Sequence, residues 1–369
     1  MSAHDLDVIP AGTVFAPSEI IHYADPDMRD LAQAIAEADV LVTVPHAGAA
    51  IPEELAEFLS PALSPRLQVD FSDAAAASVV QRWAQIDPRV VALVNPHPRL
   101  MRDPNRDRPA DLRAELQQAF ERVHAAGPDQ QADLSGVDAI RPVTHSNIPI
   151  FERPATSERL DALVNTLEAV AAQGLDVYEA MREELTELFI TKGLAHGGAF
   201  TRLSFHDSMR TTMRADGALK TEPSKSVDMP AVVTLSNGGD ADGEKRDPAS
   251  PVTMLPAALR ELAEAHRTEF EIAQPEAVTL NQPYRGSHEI FGAAAQFRSI
   301  ADEAAAASFS PAAVQVEFSR EYLLGPEAMR ELRGSGRVWV AENPEHIDFL
   351  AYACKRAWDA FRDRAQASR

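Results

Sequence analysis

The stretch ADVLVTVPHAGAAIP, residues 38–52, decides how the chain is organised. It opens with an unbroken run of apolar and β-branched residues and stops at Pro45, which predicts a buried strand that ends in a loop. His46 follows directly, in a segment of small residues. Ligands of open α/β sheets gather beyond the carboxyl ends of the strands. We therefore expect chemistry near His46, although a lone histidine in such a place is more often a structural core residue.

Outward from this stretch, apolar runs typical of strands alternate with segments that have helical spacing. Further strands are predicted at residues 89–94, 199–205, 231–235, 278–280, 314–318 and 337–340. Helices are predicted at residues 27–37, 73–85, 111–126, 157–173, 175–192, 254–272 and 345–366. Strand, helix and strand at this spacing are typical of βαβ units. The pattern therefore predicts an α/β fold with a largely parallel sheet.

The organisation of the chain predicts one domain with a helical addition. We treat residues 1–369 as a single catalytic α/β domain. Residues 107–196 carry three consecutive amphipathic helices, and we expect them to form an enlarged helical insertion or cap within that domain. Residues 1–27 are expected to be irregular, and residues 209–230 are expected to form a loop over the site.

Composition excludes several classes of protein. No apolar stretch reaches the roughly 18 residues that a membrane helix needs, and the N-terminus lacks the pattern of a secretory signal. The single cysteine, Cys354, excludes an internal disulfide and fits a cytoplasmic location. Lys and Arg number 35 against 56 Asp and Glu, and the net charge of -21 argues against nucleic acid or an anionic membrane as partner. An anionic substrate would need a local cationic pocket.

Three polar residues at predicted strand ends could form a hydrolytic metal site. His46 follows the first strand, His206 ends the strand in LSFHDS, and Glu317 lies among apolar residues in VQVEFSRE. Two histidines and a carboxylate with an open fourth position are a zinc arrangement that activates water. A further carboxylate must then carry the proton to the leaving amine, and Glu317 fits that role. The alternative is that Glu317 alternates to the solvent face of its strand.

A segment rich in arginine, NPHPRLMRDPNRDR, follows the second strand and contains Arg99, Asn105 and Arg106. Guanidinium groups form paired hydrogen bonds with carboxylates, so in an acidic protein this cluster indicates an anion pocket. A solvated loop, paired with its own acidic residues, is an equal alternative. Arg285, in the tight loop PYRG, is a second candidate for binding a carboxylate.

Six segments taken in order resemble the N-formylglutamate amidohydrolase family. They are PHAGAAIP at 45–52, the acidic Asp73 in DFSD, RLMRDPNR at 99–106, FHDSM at 205–209, NQPYRGSHEI at 281–290 and QVEFSR at 315–320. Together they span roughly residues 40–325. The family looks like a branch of the zinc carboxypeptidase and aspartoacylase group. The resemblance therefore implies a mixed, largely parallel sheet flanked by helices.

The resemblance also implies roles for individual residues. It implies zinc ligation by His46 and His206, general acid and base catalysis by Glu317, polarisation of the scissile carbonyl by Arg99, and substrate carboxylate binding by Asn105, Arg106 and Arg285. Ala49 stands where related enzymes carry the glutamate of a His-x-x-Glu motif. We expect Asp73 to be the third metal ligand instead, with Glu53 or Glu54 as alternatives.

The function that follows is a zinc-dependent amidohydrolase acting on a small anionic N-acyl amino acid, although another divalent metal would suit the same ligands. N-formyl-L-glutamate, hydrolysed to formate and L-glutamate as in histidine breakdown, is the expected substrate. Departures from the family pattern, among them Asp207 within FHDSM and SHEI after PYRG, leave open another N-acyl amino acid or a peptide. A non-catalytic protein that binds carboxylates without metal is the alternative of another class.

Overall fold

The computed structural model describes residues 6–128, 130–220 and 229–367. The strands are β1 (Val8–Ile9), β2 (Ile21–Tyr23), β3 (Val40–Val44), β4 (Ile51–Pro52), β5 (Val90–Val94), β6 (Gly198–Ser208), β7 (Val233–Ser236), β8 (Val278–Leu280) and β9 (Phe309–Ser319). The helices are α1 (Pro17–Ile20), α2 (Leu31–Glu37), α3 (Pro65–Asp70), α4 (Ala74–Ile86), α5 (Leu112–Ala126), α6 (Ser157–Ala171), α7 (Leu175–His196), α8 (Pro256–Glu269), α9 (His288–Ser299), α10 (Ala301–Ala306), α11 (Arg320–Leu332, interrupted at Gly325) and α12 (Pro344–Ala367). Glu53–Phe58 and Pro275–Ala277 are short 3₁₀ helices.

Seven strands form one mixed sheet in the order β2-β5-β3-β6-β9-β7-β8. The four central strands, β5, β3, β6 and β9, run parallel to one another. β2 runs antiparallel to β5 at one edge, and β7 runs antiparallel to β9 and parallel to β8 near the other. The predicted fold class, a mixed and largely parallel sheet flanked by helices, is therefore confirmed.

The apolar run that follows Ala38 is buried on both faces of the sheet. Val40, Val42 and Val44 pack into one cluster, and Leu41 packs into another on the opposite face. Central strands of parallel sheets are apolar throughout because helices cover both their faces. Here α4, α8 and α11 cover one face, with α12 packed across α4 and α8. Helices α2, α7, α9 and α10 cover the other.

The helices between residues 107 and 196 pack in two different ways. α7 lies on the sheet itself, where Phe189 stacks on Phe200 with ring centroids 4.6 Å apart. α5 and α6 pack on each other, and α6 also contacts the 3₁₀ helix Glu53–Phe58. The division into one domain with an insertion at 107–196 stays a prediction. Among the described residues, no helix has both the length and the apolar character needed to cross a bilayer.

Two predictions of local structure were wrong. Residues 337–340 form no strand, because Arg66 of α3 binds their carbonyl groups: its Nε donates to Val338 O at 2.8 Å, and its backbone N–H donates to Arg337 O at 2.7 Å. Residues 1–27, expected to be irregular, contain β1, α1 and the edge strand β2. In the expected loop at 209–230, residues 209–220 and 229–230 contain no helix or strand, and residues 221–228 lie outside the described chain.

Candidate active site

The site lies at the carboxyl ends of the central parallel strands. His46 stands two residues beyond the end of β3, and Asp73 directly precedes α4. His206 and Glu317 lie near the ends of β6 and β9, where they are partners in the register of the two strands. The topology thus brings together residues that are 271 positions apart in the sequence (from 46 to 317). This is the edge at which open α/β sheets bind their ligands.

Three buried side chains converge at this edge as a possible metal site. The Oδ2 atom of Asp73 lies 3.3 Å from Nδ1 of His46 and 3.1 Å from Nδ1 of His206. One donor atom from each residue can be chosen so that all three lie within 4.8 Å of one another. Imidazole nitrogen and carboxylate oxygen suit zinc and other divalent transition metals. The group could therefore hold a metal ion.

The Nε2 atoms of both histidines form hydrogen bonds with other side chains. His46 Nε2 donates to Asp103 Oδ1 at 2.7 Å, and that carboxylate also accepts from Arg99 Nη2 at 2.6 Å. His206 Nε2 lies 2.9 Å from Ser204 Oγ and 3.4 Å from Asn105 Nδ2. Hydrogen bonds of this kind fix the orientation and tautomer of metal-binding imidazoles. They leave the Nδ1 atoms of both rings facing Asp73.

Behind His206, a buried carboxylate gathers four donors from three elements. Glu289 of α9 accepts from Thr43 Oγ1 at 2.6 Å, Ser204 Oγ at 2.7 Å, Tyr178 OH at 2.7 Å and Arg182 Nη1 at 3.1 Å. Although burial favours its neutral form, charges that include the Arg182 guanidinium lower the pKa of Glu289 to about 2. A fully partnered buried carboxylate of this kind holds β3, β6 and α7 in one arrangement. It positions Ser204, and through it His206.

Charge within the site keeps Asp73 and Asp103 ionised and His46 protonated. Burial and Arg99 lower the pKa of His46, but Asp103 and Asp73 outweigh them and raise it to about 9. Burial favours neutral Asp73, yet His46 and His206 bring its pKa below the ordinary value. Burial likewise favours neutral Asp103, and Arg99 and His46 hold its pKa well below the ordinary value.

Glu317 occupies a different environment from these acids. Ser208 Oγ donates to its Oε1 at 2.6 Å, and Gln315 Nε2 donates to its Oε2 at 3.1 Å. Its side chain points into the cleft instead of the solvent and is 6% exposed. Burial raises the pKa of Glu317 above the ordinary value. A carboxyl group with a raised pKa is suited to taking up a proton and releasing it again during a reaction.

His46, Asp73, His206 and Glu317 line a cleft of about 620 Å³. The arginines predicted to bind substrate differ in whether they line it. Arg99, Asn105 and Arg106 line this cleft. Arg106 Nε donates to Asp138 at 2.8 Å, and 40% of its side chain is exposed. Arg285 is not brought to the cleft, because its side chain is exposed outside the lining. Its role as a carboxylate clamp stays a prediction.

The two alternatives to Asp73 as third ligand lie elsewhere. Glu53 Oε2 accepts from the backbone N–H of Ala11 at 3.3 Å, and Glu54 Oε1 accepts from that of Gly12 at 2.8 Å. Both carboxylates therefore bind the N-terminal segment. The structure groups Asp73, and neither of these glutamates, with the histidines.

Several residues of the site were missed from the sequence. From the sequence, Asp103 is only one of the acidic residues that could pair within the arginine-rich segment, whereas in the structure it binds His46. Glu289 stands in SHEI, where the chain departs from the family pattern, and that departure was the one available signal. Ser208 and Gln315, which hold Glu317, lie within FHDSM and QVEFSR but had no assigned role.

Comparison with known proteins assigns the chain to a family. The family model described as N-formylglutamate amidohydrolase matches residues 38–324. The fold is similar to the crystal structure of N-formylglutamate amidohydrolase from Ralstonia eutropha JMP134, with a TM-score of 0.52, 17% identity, and coverage of 93% of this chain and 98% of that one. A gene product from Agrobacterium tumefaciens aligns with a TM-score of 0.47 and 13% identity over 95% of this chain and 99% of that one. No curated protein sequence matches with significance. Since the family model covers well over half of the sequence, the chain belongs to the N-formylglutamate amidohydrolase family.

Proposed function

We propose that this protein is a zinc-dependent enzyme of the cytoplasm that hydrolyses N-formyl-L-glutamate to formate and L-glutamate, as in histidine breakdown. The observation that carries the proposal is the convergence of His46, Asp73 and His206 beside Glu317, at the open edge of the sheet. Family membership supports an amidohydrolase. The location is supported by the single cysteine, Cys354, which is free and buried.

The donor set of the site fits a divalent metal. Asp73 Oδ2 faces two imidazole Nδ1 atoms, and the Nε2 atoms of both rings are already engaged with Asp103 and Ser204. Ligand histidines must be neutral, so metal binding would replace the proton that His46 holds. When bound, zinc supplies Lewis-acid chemistry, which polarises a carbonyl and makes water acidic enough to attack at neutral pH.

Glu317 is proposed to carry the proton through the reaction. Its buried carboxylate accepts the proton of the attacking water and then gives it to the nitrogen of the leaving glutamate. Ser208 and Gln315 hold one carboxylate oxygen each, so the group is aimed before the substrate arrives. Pre-aimed groups avoid reorganisation during the reaction, and this is the reason to keep such an acid buried.

The cationic side of the cleft is proposed to bind and orient the substrate. Arg99, held by Asp103, would stabilise the charge that develops on the scissile carbonyl oxygen. Arg106 would pair with a carboxylate of the substrate, and Asn105 would add a hydrogen bond. In a protein with a net charge of -21, these residues provide the local positive field that an anionic substrate needs.

The deciding experiment replaces Glu317 by Gln and measures formate release together with bound metal. Since the amide cannot shuttle a proton, we expect turnover to fall by about 10²- to 10⁴-fold while about one zinc per chain remains bound. Glu321→Gln is the matched control, because Glu321 is a nearby acid outside the cleft lining and should keep its turnover.

A panel of N-formyl, N-acetyl and N-succinyl amino acids tests the substrate. We expect N-formyl-L-glutamate to have the highest kcat/KM.

Near-normal turnover of the Glu317→Gln variant with zinc bound would refute the assigned acid and base. Absence of metal from the wild type, with no activation by added divalent ions, would instead favour a carboxylate-binding protein without catalysis.

A further inference from the structure

Helix α4 begins in an unusual way. The first N–H groups of a helix have no partner within it, and an aspartate at the N-cap position ordinarily accepts from the second or third of them. Asp73 occupies that position but forms no such bond with its side chain, and its backbone (φ -99°, ψ 47°) lies outside the extended region usual for a cap. Its carboxylate instead faces His46 and His206.

A residue of strand β6 supplies the missing cap of α4. Asp207 of β6 accepts with Oδ2 from the N–H of Ala76, the third residue of α4, at 3.0 Å. The same N–H also reaches the backbone carbonyl oxygen of Asp73 at 3.0 Å, a shared geometry common at helix starts. Ala76 and Asp207 are both buried, so solvent does not provide an alternative acceptor. A residue 131 positions away thus takes the place of the local cap.

Asp207 is itself held by a buried guanidinium. Arg320, the first residue of α11, forms an ion pair with Asp207 Oδ1 through Nε. Its Nη1 donates to the carbonyl oxygen of Asp70 at 2.9 Å, and its Nη2 donates to that of Ser72. Arg320 therefore connects the cap to the turn that leads into Asp73. Burial raises the pKa of Asp207 to about 7, and the Arg320 charge opposes that rise.

We propose that Asp207 is a positioning residue, which caps α4 in place of Asp73 and thereby leaves the Asp73 carboxylate free to join His46 and His206 as a metal ligand. The inference rests on the proposed function, because it concerns the same metal site. It also gives a purpose to the residue that separates His206 from Ser208 in FHDSM, where the chain departs from the family pattern. Asp207 lines the same cleft, but its carboxylate is engaged by Ala76 and Arg320, and its proposed effect on the metal site passes through Asp73.

The test is a double-mutant cycle read out as zinc affinity. The wild type, Asp207→Ala, Asp73→Ala and the double variant are compared at one fixed pH in competition with a chromophoric chelator. We expect Asp207→Ala to weaken zinc binding by about 10- to 100-fold, the usual effect of losing a residue that supports a ligand. In the Asp73→Ala background it should have no further effect, since sites that act through one another are not additive.

A structural role alone would give a different result. In that case Asp207→Ala lowers the melting temperature but leaves zinc affinity unchanged, or weakens it equally in both backgrounds, and either result overturns the inference. If the single variant does not fold, Asp207→Leu combined with Arg320→Met and Asp70→Asn removes the cap, the guanidinium paired with it and the charge of the other buried carboxylate beside that guanidinium. The same dependence on Asp73 is expected there. Asp111→Ala, which removes a cap from α5, is the control and should leave zinc affinity unchanged.

A wild type that binds no divalent metal would refute the proposed function, and the inference is then decided without metal. In a crystal structure of Asp207→Ala, we expect the Asp73 carboxylate to leave the two histidines and accept from the N–H of Ala76. If the carboxylate keeps its place between His46 and His206 in that structure, Asp207 does not position it.

Discussion

Helices α4 and α5 both begin directly after an aspartate, and only α5 uses that aspartate as its cap. Asp111 accepts from the N–H of Ala114 at 2.9 Å and is exposed. Asp73 has the same place before α4, yet it is 3% exposed and faces two histidines. The same residue type at the same helix position thus serves local stability in one case and a candidate metal site in the other.

The difference comes from what the sheet brings to each helix start. At the start of α5, the Asp111 side chain has no other hydrogen-bond partner among the described residues, so it forms the local capping bond. At α4, β3 and β6 deliver imidazole groups to the carboxylate, and β6 also delivers a substitute acceptor in Asp207. Local capping rules therefore describe α5 well and describe α4 incompletely.

Among substitutions at the two helix starts, replacement of Asp73 has the largest expected effect. Asp73→Ala removes one of three proposed ligands, so we expect zinc affinity to fall by more than the roughly 100-fold that marks the upper end for supporting residues. Chelator competition measures the affinity, and the melting temperature of the metal-free protein checks that the variant is folded. Zinc binding as tight as in the wild type would exclude Asp73 as a ligand and require another carboxylate.

The second prediction concerns pH, because Asp103 and Asp73 raise the pKa of His46 to about 9. Zinc needs neutral His46, so its affinity should rise by about tenfold per pH unit up to about pH 9. The sign is opposite for the metal-free protein. A histidine whose pKa is raised on folding stabilises it fully below the unfolded value of 6.5, and that stability is lost as pH rises through about 9.

These two pH trends are measured by chelator competition and by thermal unfolding of metal-free protein. Asp73→Asn should shift both trends to lower pH, since it removes one of the charges that hold the proton on His46. Asp111→Asn should shift neither. Zinc affinity that does not change between pH 7 and about 9 would mean that His46 does not have to lose a proton to bind metal.

Most of the sheet could be predicted because its strands carry their own signal. The run at Val40–Val44 is apolar apart from Thr43, and such a run is enough to predict a central strand buried between parallel neighbours. The edge strand β2 was missed because three residues in a segment with several prolines carry little signal. Residues 337–340 look like a strand, but Arg66, far away in the sequence, binds the backbone groups that a neighbouring strand would need.

The site was predictable in proportion to how directly its residues touch the proposed chemistry. His46, His206 and Glu317 stand at strand ends and within family motifs, so the strand pattern and the family resemblance both pointed to them. Glu289 was missed because its role depends on donors from β3, β6 and α7 that only the folded chain assembles. Asp207 was noticed as a departure from the motif, but its role depends on the start of α4.

The smallest expected effect is that of Asp111→Ala. This variant tests whether Asp111 serves only the stability of α5. Losing an exposed cap should lower the free energy of unfolding by about 0.5–2 kcal/mol, measured by urea denaturation, with zinc affinity and turnover unchanged. α5 is nevertheless connected to the cationic side of the cleft, because Glu115 accepts from the N–H of Ala139, next to the Asp138 that binds Arg106. A loss of substrate affinity in Asp111→Ala, without a loss of zinc, would therefore mean that the start of α5 also serves the site. The contrast between the two aspartates would then be one of distance from the metal, not of function.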